Sequence, residues 1–289
     1  MQHYERVNFK LTKAIMLQGT ASNVGKSILV AALCRIFHQD GYQVAPFKAQ
    51  NMTQNSFITR DGYEMGHAQV LQAQAAGVEP QVEMNPILLK PASDASSRVV
   101  VLGRPLEEVM SARDYHLGKN LELLTAIKKA LVRLQQEYEI IVIEGAGSPA
   151  EVNLKERDLA NMRTARLAGA PVLLVADIDR GGALASIVGT LELLDAEERD
   201  IIQGVIINKF RGDLTLLRPA LDFLEEKTGK PVLGVIPFIN LHLPEEDSLC
   251  SKVPDQYADG KVDIEAELDH LADVCRSSLD MKKIYELLE

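Results

Sequence analysis

A stretch near the amino terminus of the chain has the composition of a phosphate-binding loop. Between a short apolar run and a helical pattern of apolar residues lie Gly19, Thr20, Ala21, Ser22, Asn23, Val24, Gly25, Lys26 and Ser27. In such a strand–loop–helix unit, backbone N–H groups and the helix amino terminus bind phosphate oxygens. We expect Lys26 to contact the terminal phosphates and Ser27 to place its hydroxyl on Mg²⁺. Five residues rather than the usual four separate Gly19 from Gly25, and the pattern still predicts a nucleotide site.

Two further charged residues follow predicted strands. Glu144 comes directly after Ile140–Ile143, where a carboxylate is typical of Mg²⁺ binding beside a phosphate-binding loop. Lys48 follows the second predicted strand and could stabilise the charge that builds up during phosphoryl transfer. Each residue also has a purely structural interpretation. Glu144 could be an acid that ends a strand by chance, and Lys48 could belong to a hydrophilic loop whose side chains bind nearby backbone groups. Their position beside the loop favours function.

Two later strand ends carry a second group of candidates. Asp177 and Asp179 could bind another cation or position a nucleophile, and Arg180 could hold a carboxylate substrate. Asn208, followed by a lysine, suits recognition of a purine edge. Glu64 lies at the predicted start of a helix, where the helix dipole alone could explain an acidic residue.

Apolar runs alternate with helical patterns along most of the chain. The predicted strands are Ala14–Leu17, Gln43–Phe47, Ile87–Lys90, Val99–Leu102, Ile140–Ile143, Val172–Ala176, Gly204–Ile207 and Val232–Ile236. Several are continuous β-branched runs, typical of strands buried on both faces. We therefore predict an α/β fold of the P-loop NTPase type, with a mostly parallel sheet and helices on both faces. Ligands of such sheets bind at the carboxyl ends of the strands.

Composition excludes several classes of protein. The net charge of −10, without a basic stripe, argues against nucleic-acid binding. No apolar run is long enough to span a bilayer and no secretory signal is visible, so we expect a cytoplasmic protein without membrane attachment. Three scattered cysteines do not make a disulfide scaffold. We assign residues 1–250 to one synthetase domain and 251–289 to a linker and an acidic helix, Asp263–Leu288, packed on that domain.

At this point the residues resemble a known family. The chain is similar to the N-terminal, dethiobiotin-synthetase-like domain of cobyric acid synthases, which are glutamine-dependent amidotransferases of cobalamin biosynthesis. The similarity covers residues 13 to about 250, and its most specific motifs are Glu144–Leu154 and Ala176–Gly182. The other matching stretches are Gly19–Ser27, Phe47–Ser56, Glu64–Gly77, Asn85–Pro91, Asp158–Met162, Asn208–Asp213 and Gly234–Pro237.

The resemblance implies a reaction and roles for residues. ATP phosphorylates peripheral carboxylates of a corrinoid, cobyrinic acid a,c-diamide, and ammonia displaces each phosphate to give an amide. The resemblance implies a Mg²⁺ site of Ser27, Glu64 and Glu144, and an adenine contact from Asn208. Lys48 is implied to lie between the γ-phosphate and the substrate. The expected partners are the corrinoid, ammonia and, as an open alternative, a second copy of the chain.

One departure from the family pattern concerns ammonia. Family members continue into a glutaminase domain with a Cys–His–Glu triad, and we expect this domain to be absent here. The glutaminase that supplies ammonia would then be missing or lie on a separate chain, or ammonia would come directly from solution. Two alternatives stay open. A dethiobiotin synthetase-like carboxylase lacks a counterpart of Asp177–Gly182. A ParA- or MinD-like ATPase switch carries a signature lysine at the position of Ala21.

Overall fold

The computed structural model describes residues 12–54, 56–93, 96–111, 120–243 and 263–289. Its strands are β1 (Lys13–Gly19), β2 (Val44–Phe47), β3 (Gln50–Met52), β4 (Ser56–Ile58), β5 (Glu64–Gly66), β6 (Ile87–Ser93), β7 (Ser96–Val101), β8 (Arg104–Ser111), β9 (Ile140–Glu144), β10 (Val172–Asp177), β11 (Ile202–Phe210) and β12 (Val232–Pro237). Its α-helices are α1 (Lys26–Gln39), α2 (His67–Ala75), α3 (Asn120–Glu137), α4 (Met162–Ala168), α5 (Ala183–Leu193), α6 (Ala196–Ile201), α7 (Leu214–Thr228), α8 (Ile264–Ser278) and α9 (Met281–Leu287). The predicted linker 251–261 and Cys250 lie outside the described residues.

The central sheet is parallel and has the strand order β12-β11-β10-β1-β9-β2. Side chains alternate between two hydrophobic cores. Met16 of β1 and Leu174 of β10 point into one core, and Leu17 and Val175 point into the other. Because both faces are covered, these strands are apolar throughout, which is the pattern that predicted them. The predicted α/β class with a mostly parallel sheet is confirmed.

Helices α1 and α8 pack together on one face of this sheet. Arg35 on α1 contacts Asp269 on α8 at 2.7 Å, and Arg276 contacts Asp40 at 2.9 Å. The prediction of one continuous closing helix over Asp263–Leu288 was wrong. The helix ends at Ser278, because Leu279 forms an antiparallel bridge with Gly234 and Asp280 then caps α9.

Two predicted strands belong to a different sheet from the one expected. Ile87–Lys90 and Val99–Leu102 lie in β6 and β7, which pair antiparallel in a four-stranded sheet of order β3-β6-β7-β8. The connection between them is too short for the crossover that parallel neighbours need. The central sheet therefore contains neither of them.

The segment around Glu64 also differs from the prediction. Glu64 does not begin a helix but lies in β5, which pairs antiparallel with β4. Helix α2 begins three residues later, at His67, after an extended Gly66. None of the described helices has the length and apolar content that crossing a bilayer requires.

Candidate nucleotide-binding site

The loop after β1 has the backbone conformation of a tight phosphate-binding turn. Asn23 and Gly25 adopt positive φ angles of 61° and 98°, and α1 begins at Lys26. A Cβ atom at Gly25 would lie 2.2 Å from the Asn208 amide nitrogen, so only glycine fits there. The loop's N–H groups and the amino terminus of α1 are thereby directed at one place, as phosphate binding requires.

Lys26 connects this loop to the loop that follows β9. Its Nζ donates hydrogen bonds to the carbonyl oxygens of Ala21, at 3.0 Å, and Gly147, at 3.2 Å. The side chain is buried, with its ammonium group at the mouth of the loop. A lysine held there is within reach of the terminal phosphates of a bound nucleotide.

Glu144, at the carboxyl end of β9, is the centre of a buried polar network. Its Oε1 accepts a hydrogen bond from Ser27 Oγ at 2.8 Å and pairs with Lys48 Nζ at 2.8 Å. Its Oε2 accepts from the Gln72 amide at 2.6 Å. The Glu144 side chain is only 1% exposed, so these partners compensate for the loss of water around its charge. Ser27, Lys48 and Glu144, three predicted site residues from separate parts of the chain, thus lie together.

Asn208 and Asp177, near the ends of β11 and β10, hold the phosphate-binding loop in place through hydrogen bonds, Asp177 by way of Lys209. The Asn208 amide donates to the Val24 carbonyl at 2.8 Å. Lys209 Nζ bridges the Asn23 carbonyl and the Asp177 carboxylate, at 2.7 Å each. The two strand ends therefore support the loop from the β10–β11 side.

Asp179 and Arg180 are more exposed than Asp177. Asp179 accepts a hydrogen bond from Arg211 Nε at 2.9 Å, and the Arg211 guanidinium lies over the ring of Phe238 at 3.4 Å. Arg180 is exposed and does not line either cavity found among the described residues. Its predicted role in holding a substrate carboxylate therefore stays a prediction.

Glu64 is not part of the Glu144 network. Its carboxylate accepts hydrogen bonds from Lys90 and Ser56, each at 2.7 Å. Burial alone raises the pKa of Glu64, but these hydrogen bonds outweigh burial and hold that pKa below its usual range. The described residues that line the cleft do not include Glu64, so a metal-binding role requires Lys90 to release it.

A cleft of about 610 Å³ opens over these residues. One end is formed by Asn23, Lys209 and the segment 238–241, and the other by Lys48, Asn51 and the loop 144–147. A second cavity of about 200 Å³ adjoins it and shares Ala146 and Gly147. The volume of the cleft is large enough to hold a nucleotide together with an acceptor group.

Sequence reasoning missed three residues that hold the site together. Gln72 lies on α2 and binds both Glu144 and the Ser27 carbonyl. Asn161 donates to the Ala146 carbonyl at 2.7 Å and accepts from its N–H at 3.1 Å. The sequence indicated Lys209 only as the neighbour of Asn208 in recognition of a purine edge, and its contact with the phosphate-binding loop was not predicted. Gln72 and Asn161 lie in helical or loop segments. In such segments only burial among apolar neighbours distinguishes these amide side chains from ordinary surface ones.

Comparison with known proteins shows the family that the chain is similar to. The family model CbiA, described as CobQ/CobB/MinD/ParA nucleotide binding domain, matches residues 15–247. A cobyric acid synthase from Pelotomaculum thermopropionicum is 70% identical over 255 residues, which are 88% of this chain and 48% of that protein. One from Moorella thermoacetica is 68% identical over 240 residues, 83% of this chain and 46% of that protein. These relatives confirm the resemblance seen in the sequence.

The chain spans about half the length of these curated relatives. Among solved structures, the signal recognition particle receptor FtsY from Elizabethkingia anophelis is similar, with a TM-score of 0.48 and 16% identity, covering 80% of this chain and 60% of that chain. The match to the family model extends over most of the chain and includes the loop, Glu144 and Asn208. The chain therefore belongs to the CobQ/CobB/MinD/ParA nucleotide binding domain family.

Proposed function

We propose that this chain catalyses the ATP-dependent amidation of peripheral carboxylates of a corrinoid, converting cobyrinic acid a,c-diamide to cobyric acid through acyl phosphates. The observation that carries the proposal is the meeting of Ser27 and Lys48 at the buried carboxylate of Glu144. A phosphate-binding loop, a metal-binding acid and a second lysine are the groups that phosphoryl transfer to a carboxylate needs. The names of the curated relatives support the choice of substrate.

The residues around Ser27 fit a Mg²⁺ ion. The Ser27 hydroxyl and the Glu144 carboxylate present oxygen atoms 2.8 Å apart, and oxygen is the donor that Mg²⁺ prefers. When bound, Mg²⁺ neutralises negative charge on the transferring phosphates. We propose that Ser27 and Glu144 hold the ion and that Glu64 joins them only after separating from Lys90.

Residues of the chain divide the remaining tasks. The loop 19–27 and Lys26 hold the phosphates. Asn208 does not line the cleft and donates its amide to the Val24 carbonyl, so the adenine contact that we propose for it requires this hydrogen bond to open. Lys48 lies beside Glu144 at one end of the cleft. There its ammonium stabilises negative charge on the phosphoryl group as a substrate carboxylate oxygen attacks. Asp177, Asp179 and Arg180 remain candidates for substrate positioning.

The size of the cleft suits a peripheral carboxylate. A cavity of about 610 Å³ that also receives a nucleotide cannot enclose a corrin ring as well. We propose that the ring stays at the mouth of the cleft while one carboxylate arm enters. Such an arrangement lets one site act on several arms in turn.

Ammonia is the nucleophile that completes the proposed reaction. The described cysteines do not suit glutamine hydrolysis, because burial raises the thiol pKa of Cys34 and of Cys275. We propose that the chain uses ammonia, which glutamine supplies through a missing or separate glutaminase chain.

Mass spectrometry tests the proposal. The chain is incubated with cobyrinic acid a,c-diamide, Mg-ATP and an ammonium salt, and each amidation exchanges a hydroxyl for an amino group. We expect the corresponding stepwise mass decrease together with corrinoid-dependent ADP release, and neither in Lys26→Ala. An unchanged corrinoid mass, with ATP turnover indifferent to the corrinoid, would reject the proposed function.

A further inference from the structure

The smaller cavity, of about 200 Å³, adjoins the cleft at the loop that follows β9. Its walls are the segment 146–151, the 3₁₀ helix Val152–Arg157 and the residues 158–161. Ala146 and Gly147 line both cavities, so the two spaces adjoin at this stretch of the chain. A cavity of this volume admits several water molecules, so it has room for ammonia.

Four charged residues line this cavity, and two of them have partners. Lys155 binds Asp195 at 2.8 Å and Glu198 at 2.9 Å. The Asp158 carboxylate accepts hydrogen bonds from the backbone N–H groups of residues 160, 161 and 163. The side chains of Glu151 and Arg157 make no ion pair or hydrogen bond with any described residue. A cavity wall therefore presents one carboxylate and one guanidinium to an incoming ligand.

Glu151 is the one of these two that approaches the phosphate-binding lysine. A Cβ atom built on Gly147 would lie 3.0 Å from Glu151 Oε1. The Gly147 carbonyl in turn accepts the hydrogen bond from Lys26 Nζ at 3.2 Å. A single glycine, with a φ of 58°, thus separates the Glu151 carboxylate from the lysine assigned to the terminal phosphate.

We propose that Glu151 is the proton acceptor for ammonia when it attacks the acyl phosphate, an inference that rests on the proposed function above. The nitrogen lone pair forms a C–N bond with the acyl carbon, and the C–O bond to phosphate breaks with its electron pair leaving on phosphate. One N–H proton passes to Glu151. The carboxylate later returns that proton to phosphate or to water, so no further reactant is needed.

Glu151→Gln separates this step from phosphorylation, because the amide keeps the size of the side chain but cannot take a proton. Hydroxylamine traps acyl phosphates as hydroxamates without help from a base, because it is a much stronger nucleophile than ammonia. With the corrinoid and Mg-ATP, we expect the variant to form hydroxamate at the wild-type rate. Its rate of amide formation with an ammonium salt should fall by about 10²-fold or more, the usual contribution of a general base.

Glu156→Gln is the matched control, since Glu156 is exposed, as Glu151 is, but lies in the adjoining 3₁₀ helix and does not line the cavity. It should leave both rates at the wild-type value. Equal loss of hydroxamate and amide in Glu151→Gln would assign Glu151 to folding or phosphorylation and overturn the inference, as would no loss of either. Absence of hydroxamate with the wild-type chain would refute the acyl phosphate itself, and the inference with it.

Discussion

Replacing Lys48 by methionine should expose the energetic cost of the buried acid at the centre of the site. Lys48 and Glu144 have side chains that are 8% and 1% exposed, and their charged atoms lie 2.8 Å apart. Methionine fills most of the volume of the lysine stem but removes the ammonium group. The variant therefore leaves a buried carboxylate with hydrogen bonds from neutral groups only.

The expected loss can be estimated from the partners that remain. Breaking a buried pair on one side costs about 3–5 kcal/mol of unfolding free energy. Glu144 keeps its hydrogen bonds from Ser27 and Gln72, and bonds to a charged group are worth about 1.5–3 kcal/mol each, so we expect a value near the lower limit. The double variant Lys48→Met/Glu144→Gln removes the unpaired charge. It should be more stable than Lys48→Met alone by about 1–2 kcal/mol.

Urea unfolding, followed by circular dichroism and by a second probe to check coincidence, measures these free energies. Arg133→Met is the control, because that side chain is 57% exposed and its ion pairs with Glu83 and Glu137 should contribute at most about 1 kcal/mol. The reasoning fails if Lys48→Met costs no more than the control. It also fails if the double variant loses the sum of the two single losses, since the two charges would then be uncoupled.

Three further outcomes are expected. Gly25→Ala should abolish binding of a fluorescent ATP analogue, because a Cβ atom at this position would collide with the Asn208 side chain. Gly189 in α5 has open space around it, so Gly189→Ala should raise the free energy of unfolding by about 0.5–1 kcal/mol. The hydrogen bond from Arg35 holds the pKa of Asp269 below its usual range. The pair therefore stabilises the fold above about pH 4, and this stabilisation is lost as the pH falls through the lowered pKa. The thermal midpoint of Arg35→Met should depend less on pH between about pH 5 and pH 3 than that of the wild type. Burial raises the pKa of Cys275 to about 12, so peptide mapping should find it alkylated at about pH 8 only after denaturation.

The central sheet and much of the site could be predicted because both depend on local patterns. Runs such as Ile140–Ile143 and Val172–Ala176 are apolar without alternation, which only a doubly covered parallel strand requires. Parallel strands end at one edge, so Ser27, Lys48 and Glu144 had to lie near one another. The sequence thus indicated which loops meet.

Local patterns do not determine which partner a polar side chain selects. Glu64 binds Lys90, which follows it by 26 residues on another strand, and no spacing rule connects them. The run Ile87–Lys90 has the same composition as a central strand, because burial and not strand direction sets composition. The short connection to β7 carried the information about direction, and periodicity alone does not use it.

The same physics that makes the strands predictable places charge at their ends. The interiors of β1, β9 and β10 are covered on both faces, so an ionised side chain is tolerated only where loops can supply partners. The described lining of the cleft accordingly carries three lysines, Lys26, Lys48 and Lys209, against the single carboxylate of Glu144. In a chain with a net charge of −10, this excess of positive charge between apolar walls directs a polyphosphate to the carboxyl end of β1 and keeps polyanions from the rest of the surface.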